Sequence, residues 1–403
     1  MYLTERRTGM IYNERIRRPI SDNELERRWN LLRGLMNEKD LDLIFTQGSN
    51  MHLGGYVRWM TDIAAENNCQ MTVLFPKDEE MTIIRCSDQL IPSWAQRGVA
   101  EVKYLPSCSS LNYTGVEEAG YVTEYVKKRG VKRLGYVGEA AITSGMMVRL
   151  QAALDGVEFV DITDEFDLFK AIKSDEEMEC VRETARIHDQ AWAALNAIAK
   201  PGMYEYQIRA ELIEVLSNLG SEEHLMFMGT APQGVPCAMP TFQYANRKVQ
   251  DGDYGVILME VSGPGGYYCE SSRNFVFGEP CKALTDAWEV ARAAQQLTAD
   301  MLVPGRDSTE IVKAYNEFVS LKGYCQEGRL YGHSQGYDLI ERPAFMAHND
   351  NGVETMKIYA HMNCSLHPYF TNDELTVYIN DNYYIDEKGA TRIHTVAPEM
   401  III

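Results

Sequence analysis

The chain has 403 residues, 45% of them hydrophobic, and a formal net charge of −19. That charge excludes a nucleic-acid partner, which needs a basic face, and no run of about 18 apolar residues offers a membrane span. Length alone predicts two domains, because single cores stop growing at about 250–300 residues.

Nine cysteines are scattered without a Cys-x-x-Cys pair, so Cys69, Cys86, Cys108 and the others read as reduced thiols. The opening Met1-Tyr-Leu-Thr-Glu-Arg-Arg carries charge but no apolar core of a signal peptide. Both observations predict a cytoplasmic protein.

In chain order, the polar, Arg-rich first twenty or so residues predict an extended arm. Ser21-Asp22-Asn23-Glu24 fits a capping box at a helix start. Short β-rich runs follow at Leu41–Thr46, Met71–Pro76, Leu134–Gly138 and Val157–Asp161, with helical stretches at Gly115–Lys128 and Ser144–Ala153. Strands alternating with helices predict an α/β domain with a partly parallel sheet over residues 1–170. Ser174 and Glu177 form a second capping box, opening a helix from Asp175 to Ala199 that stops at Lys200-Pro201-Gly202. Further helices are predicted at Tyr204–Leu219, Lys282–Leu302 and Ser308–Lys322. Val256–Met259 and Asn274–Phe277 read as paired strands around a Gly-rich hairpin, within a second domain over residues 171–403.

The chemistry concentrates in that second domain. Glu260-Val-Ser-Gly-Pro-Gly-Gly-Tyr-Tyr-Cys-Glu270-Ser-Ser-Arg273 places two carboxylates ten residues apart around the hairpin, and Gly332-His333-Ser-Gln-Gly336 sets a histidine in a Gly-bounded turn. His367 precedes a proline. An unperturbed histidine titrates near neutral pH, so His333 and His367 are candidate acid/base groups. Tyr267, Tyr268, Tyr331, Tyr337, Tyr383 and Tyr384 can shape a pocket, although tyrosines on strands mostly pack.

These segments, with Lys173-Ser-x-Glu-Glu opening a helix, Lys200-Pro-Gly-Met closing it, Gly252-Asp253 before a strand and Pro304-Gly305 between helices, resemble the pita-bread family of creatinase, prolidases, Xaa-Pro aminopeptidases and methionine aminopeptidases. The resemblance implies a creatinase/prolidase-type α/β domain followed by a pita-bread catalytic domain, and a homodimer. In the family's peptidases two Asp, one His and two Glu hold two metal ions, and here most of those positions differ. Glu270 stands at the second Asp position, while strict counting puts Met259 at the first and a one-residue slip puts Glu260 there. His333 matches the metal-binding histidine, His367 replaces a Glu, and Asn380 or Asp381 replaces the last Glu. The family's second histidine gives way to Ile340-Glu341-Arg342-Pro343, where Arg342 resembles an arginine that grips a substrate carboxylate. The histidine that creatinase carries before its first strand is replaced near Cys237 or Met239.

The implied reading is a creatinase-like or ectoine-hydrolase-like hydrolase of a non-peptide C–N bond in a small zwitterionic molecule. Its catalytic set is His333, His367, Glu270 and Glu260, its substrate contacts are Arg342, Glu341, Tyr337 and Arg58, and no cofactor is expected. Arg58, with Tyr56, Trp59 and Glu66-Asn67-Asn68, falls where creatinase-like enzymes reach into a neighbour's site. One alternative is an Xaa-Pro peptidase with atypical ligands, holding one Zn, Mn or Co ion on Glu260, Glu270, His333 and His367. A lyase on the same fold is another, and a binding module without catalysis a third.

Overall fold

The computed structural model describes residues 17–48, 50–65, 70–85, 96–105, 114–347 and 355–403. Most of the expected amino-terminal arm, Glu66-Asn67-Asn68, and Cys69, Cys86 and Cys108 lie outside the described residues. The chain forms two compact units, Met1–Lys170 and Ala171–Ile403. Among the described residues no helix is long and apolar enough to cross a membrane.

The first unit runs α1 (Asp22–Glu38), β1 (Leu43–Gly48), α2 (Gly55–Thr61), β2 (Met71–Pro76), β3 (Met81–Arg85), β4 (Val99–Tyr104), α3 (Thr114–Arg129), β5 (Arg133–Val137), α4 (Ser144–Ala153), β6 (Glu158–Asp161) and α5 (Thr163–Ala171). Its sheet has the order β4-β3-β2-β1-β5-β6. β1 pairs β5, β5 pairs β6 and β3 pairs β4 in parallel, while β2 runs antiparallel to both neighbours. Every residue of β1, β2 and β3 is buried, as expected of strands covered on both faces. β3 and β4 had no clear signal: one is five residues long, and the other is half exposed and charged. At α1 the capping box is half formed, because Ser21 caps the Glu24 N–H at 3.1 Å while the Glu24 carboxylate turns to Arg27 and Arg28.

The second unit opens with α6 (Asp175–Ile198) and α7 (Glu205–Asn218). At α6 both halves of the Ser174/Glu177 box are made, at 3.2 and 2.7 Å. β7 (Glu223–Pro232), β8 (Asp253–Ser262) and β9 (Tyr268–Val276) then form an antiparallel sheet. α8 (Lys282–Ala299) and α9 (Ser308–Leu321) precede β10 (Leu330–Ser334), β11 (Glu341–Met346), β12 (Asn363–Leu366), β13 (Tyr369–Thr371), β14 (Thr376–Tyr378), β15 (Asp381–Ile385), β16 (Ala390–Arg392) and β17 (Ile401–Ile402). A second sheet has the order β11-β10-β12-β15-β16, and β17 returns to the first sheet in parallel with β9.

Each sheet buries an apolar face under a helix pair. Leu195, Ile208 and Leu212 pack on Met226, Ile257 and Met259, while Ile311, Tyr315 and Val319 pack on Tyr331, Cys364 and Leu366. The sheets meet edge to edge through the Ser272–Asn380 bridge and a fully buried Arg273–Asp381 ion pair at 2.7 Å. The β8–β9 strands run longer than the sequence pattern suggested, because the carboxylate-bearing residues belong to the ladder. The hairpin is confined to residues 263–267, where Gly265 and Gly266 take φ of +91° and +81°. A Cβ on Gly263 would lie 2.4 Å from Thr184 Oγ1, so the turn also needs glycine for closeness.

Candidate active site

Register decides which β8 residue faces the site. Glu260 pairs directly with Glu270, whereas Met259 pairs with Ser271. Strand alternation sends Met259 to the opposite face, where it is fully buried in the apolar cluster under α6 and α7. Glu260 and Glu270 therefore share the face that turns to the second sheet. His333 comes from β10 and pairs with Ser365 of β12, two residues before His367. Gly332 permits this approach, since a Cβ there would sit 2.4 Å from the Ser365 carbonyl.

The ligand atoms of Glu270, His333 and His367 lie within 4.8 Å of one another, all buried. His333 Nε2 is 3.6 Å from Glu270 Oε1. Its Nδ1 donates to the Ser334 carbonyl at 3.0 Å, which leaves the Nε2 lone pair turned to the cluster. His367 Nε2 contacts the same Glu270 oxygen and lies 2.8 Å from Ser365 Oγ, which itself donates to the His333 carbonyl at 3.2 Å. The two imidazoles stand edge to face with centroids 4.9 Å apart.

The electrostatics split the two carboxylates. Burial raises the pKa of Glu270, but His367 and His333 outweigh it and hold the carboxyl well below the usual range. Burial and the adjacent Glu270 push Glu260 well above its ordinary value, so Glu260 keeps its proton. Burial lowers His333 against the opposing pull of Glu270, favouring a neutral ring. Glu270 is sealed from solvent, whereas Glu260 and His367 keep 8% and 7% exposure. Glu270 Oε2 has no hydrogen-bond partner.

Sequence reasoning missed the residues that hold this cluster. Glu270 N–H donates to Asn382 Oδ1 at 2.7 Å, and His394 Nε2 lies 3.2 Å from the Glu270 carbonyl. Asn382 Nδ2 in turn donates to Gln335 Oε1 and Asn363 Oδ1 at 2.8 and 3.0 Å. Asn382 stands two residues after Asn380, a period-2 signal that was available. Of the two candidates for the last position, Asp381 is paired with Arg273 at 2.7 Å, whereas Asn380 bridges Ser272 of β9.

The other sequence candidates have partners of their own. Glu341 is held by Lys173 in a buried ion pair at 2.8 Å. Its β11 neighbour Arg342 is half-buried, and alternation points it to the opposite face of that strand. Tyr337 stacks on Tyr267 at 4.2 Å, which gives the ring a packing role. Arg58 belongs to α2 of the first unit and sits beside Asp62 there. Glu260 stands across from Glu270 but outside the three-atom cluster, so the four-ligand set reduces to Glu270, His333 and His367. Cys237 is buried, and burial pushes its thiol up to about 12, so it offers no thiolate at neutral pH.

Comparison with known proteins then decides the family. The profile of metallopeptidase family M24 matches residues 179–393, just over half of the chain. The chain belongs to metallopeptidase family M24. The uncharacterized peptidase YqhT of Bacillus subtilis is 26% identical over 268 residues, covering 66% of this chain and 70% of that protein. The probable dipeptidase PepE of Mycobacterium tuberculosis is 25% identical over 273 residues, covering 65% and 70%. Among solved structures, the X-Pro aminopeptidase of Thermotoga maritima has a TM-score of 0.78 at 17% identity, covering 93% of this chain and 99% of that one. The Xaa-Pro dipeptidase of Bacillus anthracis has a TM-score of 0.75 at 20% identity, covering 94% and 100%. The expected α/β, pita-bread-type fold is thereby shown for this M24 member. The names of these relatives favour the peptidase alternative over a non-peptide substrate.

Proposed function

We propose that the chain is a hydrolase of small peptide-like amides that works with one divalent ion held by Glu270, His333 and His367. The observation that carries this reading is the three-residue cluster whose carboxylate keeps a buried oxygen without a partner. One carboxylate with two imidazoles is the donor set of single-ion hydrolytic sites. It does not fit a bridged pair of ions, which calls for several anionic oxygens, because Met259 turns to the core and Asn380 is neutral. Such an ion would polarise the scissile carbonyl and acidify a bound water.

The protein's own groups complete the chemistry. The Ser334 carbonyl orients the His333 imidazole through Nδ1, the nitrogen turned away from the cluster, and Ser365 packs beside His367 Nε2. Glu260, opposite Glu270 in the strand pair, holds a proton that it would pass to the departing nitrogen. The buried Glu270 remains ionised beside the histidines.

A second reading, the metal-free creatinase type, draws on the direct His367–Glu270 contact, which is also a serviceable acid/base pair. Elemental analysis of protein purified without chelator separates the two, combined with turnover of dipeptides, Xaa-Pro peptides, N-acyl amino acids and guanidino acids before and after chelation. The single-ion reading expects close to one Zn, Mn or Co per chain, lost together with dipeptide turnover. Full activity without metal, or two ions per chain, sinks it.

A further inference from the structure

Along β9, the N–H groups of Tyr268, Glu270 and Ser272 reach partners outside the β8–β9 pair. Tyr268 N–H donates to the Gly336 carbonyl at 2.8 Å, and Ser272 N–H donates to the Asn380 carbonyl at 3.1 Å. At both positions main chain meets main chain. Glu270, midway between them, is held by side chains instead. Its N–H donates to Asn382 Oδ1 at 2.7 Å, and its carbonyl lies 3.2 Å from His394 Nε2. A carbonyl oxygen only accepts, so His394 Nε2 carries the hydrogen and donates it.

His394 is buried and has a clamp of its own. Its Nδ1 faces Asp189 Oδ1 of α6 at 3.4 Å, an electrostatic contact without hydrogen-bond geometry. The other oxygen of Asp189 accepts from Thr395 N–H at 2.7 Å and from Thr395 Oγ1 at 2.6 Å. On the other side of His394, Ile393 N–H donates to the Asn382 carbonyl at 2.8 Å. The residues before and after His394 are thus tied to β15 and to α6, and the ring between them is aimed at Glu270. α6 also reaches the residue after Glu270. Trp192 Nε1 donates to Ser271 Oγ at 2.8 Å, and His188 Nδ1 lies 3.1 Å from the same oxygen. These bonds fix the stretch of chain that carries the Glu270 carboxylate, and a misplacement of about 1 Å in such a group costs about 10²-fold in rate.

Resting on the reading of Glu270 as a ligand of a single hydrolytic ion, we infer that His394 is a positioning residue, held by Asp189 and holding the Glu270 main chain so that the carboxylate meets the ion. The role lies in one bond, from Nε2 to the Glu270 carbonyl. A side chain that places an N–H where Nε2 stands should therefore serve as well. Glutamine does so, because its amide nitrogen reaches as far along the side chain as Nε2 of histidine. Asparagine reaches only as far as Nδ1, toward Asp189, and leaves the carbonyl without a donor. Leucine offers no donor at all.

The test uses the full-length protein as wild type, His394→Gln, His394→Asn and His394→Leu. Zinc affinity is measured by chelator competition, ligand geometry by the visible spectrum of the cobalt form, and folding by Tm. Kcat and KM are measured on the dipeptide that the wild type turns over fastest. His394→Asn and His394→Leu should each lose about 10–100-fold in zinc affinity and in kcat, with KM unchanged and an altered cobalt spectrum. His394→Gln should keep the wild-type spectrum and recover most of both losses. The two variants without the donor carry the same expectation, so whichever folds decides it. Wild-type zinc affinity and spectrum in either of them overturn the assignment. So does a His394→Gln protein as impaired as the other two, which would leave the ring a packing role alone. A wild type that takes up no metal overturns the single-ion reading and the assignment with it, whereas metal bound alike by all four forms overturns the assignment alone.

Discussion

Two buried glutamates, one in each unit, show the difference between a carboxyl that is structural and one that is reserved for a ligand. Glu118 on α3 is 2% exposed and accepts from Thr72 Oγ1; Thr72 accepts from Gln47 Nε2 at 2.8 Å, and Gln70 Nε2 donates to Gln47 Oε1 at 2.9 Å. These partners are neutral, so burial dominates and lifts Glu118 to about 7. Glu270 is fully buried, but its neighbours are two histidines and one of its oxygens has no partner. Its pKa moves the opposite way. Equal burial with opposite shifts means that the neighbours, and not depth, set the charge. Of the two, only Glu270 keeps an open valence.

The sharpest way to break this comparison is Glu270→Gln. It keeps the shape and removes the charge that the cluster offers to a cation. Dipeptide turnover should fall by at least about 10³-fold, since an ion's polarisation of a carbonyl is worth several kcal/mol. Metal per chain should fall toward zero by elemental analysis. A variant that retains its metal would show that the two histidines suffice and that Glu270 is not a ligand.

Glu118→Gln should have the opposite sign, in stability. The unfolded carboxyl titrates near 4.5 and the folded one near 7, so between these values the fold holds a proton that the unfolded chain has released. Stability from this group therefore falls as pH rises through that window, by roughly 3 kcal/mol in all at 1.36 kcal/mol per unit. Glutamine accepts from Thr72 without ionising, so the variant should melt above wild type at pH 8 and converge with it near pH 4. Tm measured across that range decides it. A gap that does not shrink on acidification would mean that Glu118 is ionised throughout.

What could be read in advance follows the same division. Local signals were strong where one element decides its own structure: the Ser174 capping box, α4 at Ser144–Ala153 and β2 at Met71–Pro76 appear as the pattern indicates. Glu270, His333 and His367 were legible because short motifs carry them, and the structure brings them together. Whether Met259 or Glu260 faces the site was not legible, because a one-residue register difference leaves composition unchanged and reverses every side chain. Glu341 was legible as part of the Ile-Glu-Arg-Pro segment, but its partner Lys173 was not, because it lies 168 positions away in sequence. Period 2 could have pointed to Asn382, but its partners Gln335 and Asn363 could not be read, because they lie 47 and 19 positions away in sequence.

The smallest effect should come from Ser365→Ala. Ser365 Oγ lies 2.8 Å from His367 Nε2 and donates to the His333 carbonyl at 3.2 Å, so one hydroxyl touches both histidine-bearing segments. It is fully buried and offers nothing to a substrate. Its removal leaves all three ligand side chains in place but frees the His367 ring to rotate. Ser365 lies beside the cluster-facing nitrogen and not behind the ring, so its loss should cost no more than the about 10–100-fold in affinity that outer-shell partners of metal-binding histidines contribute. Zinc affinity measured by chelator competition should weaken within that range, while Glu270→Gln abolishes binding outright. Equal losses in the two variants would mean that Ser365 is needed to assemble the cluster. No loss would mean that the Glu270 contact alone fixes His367.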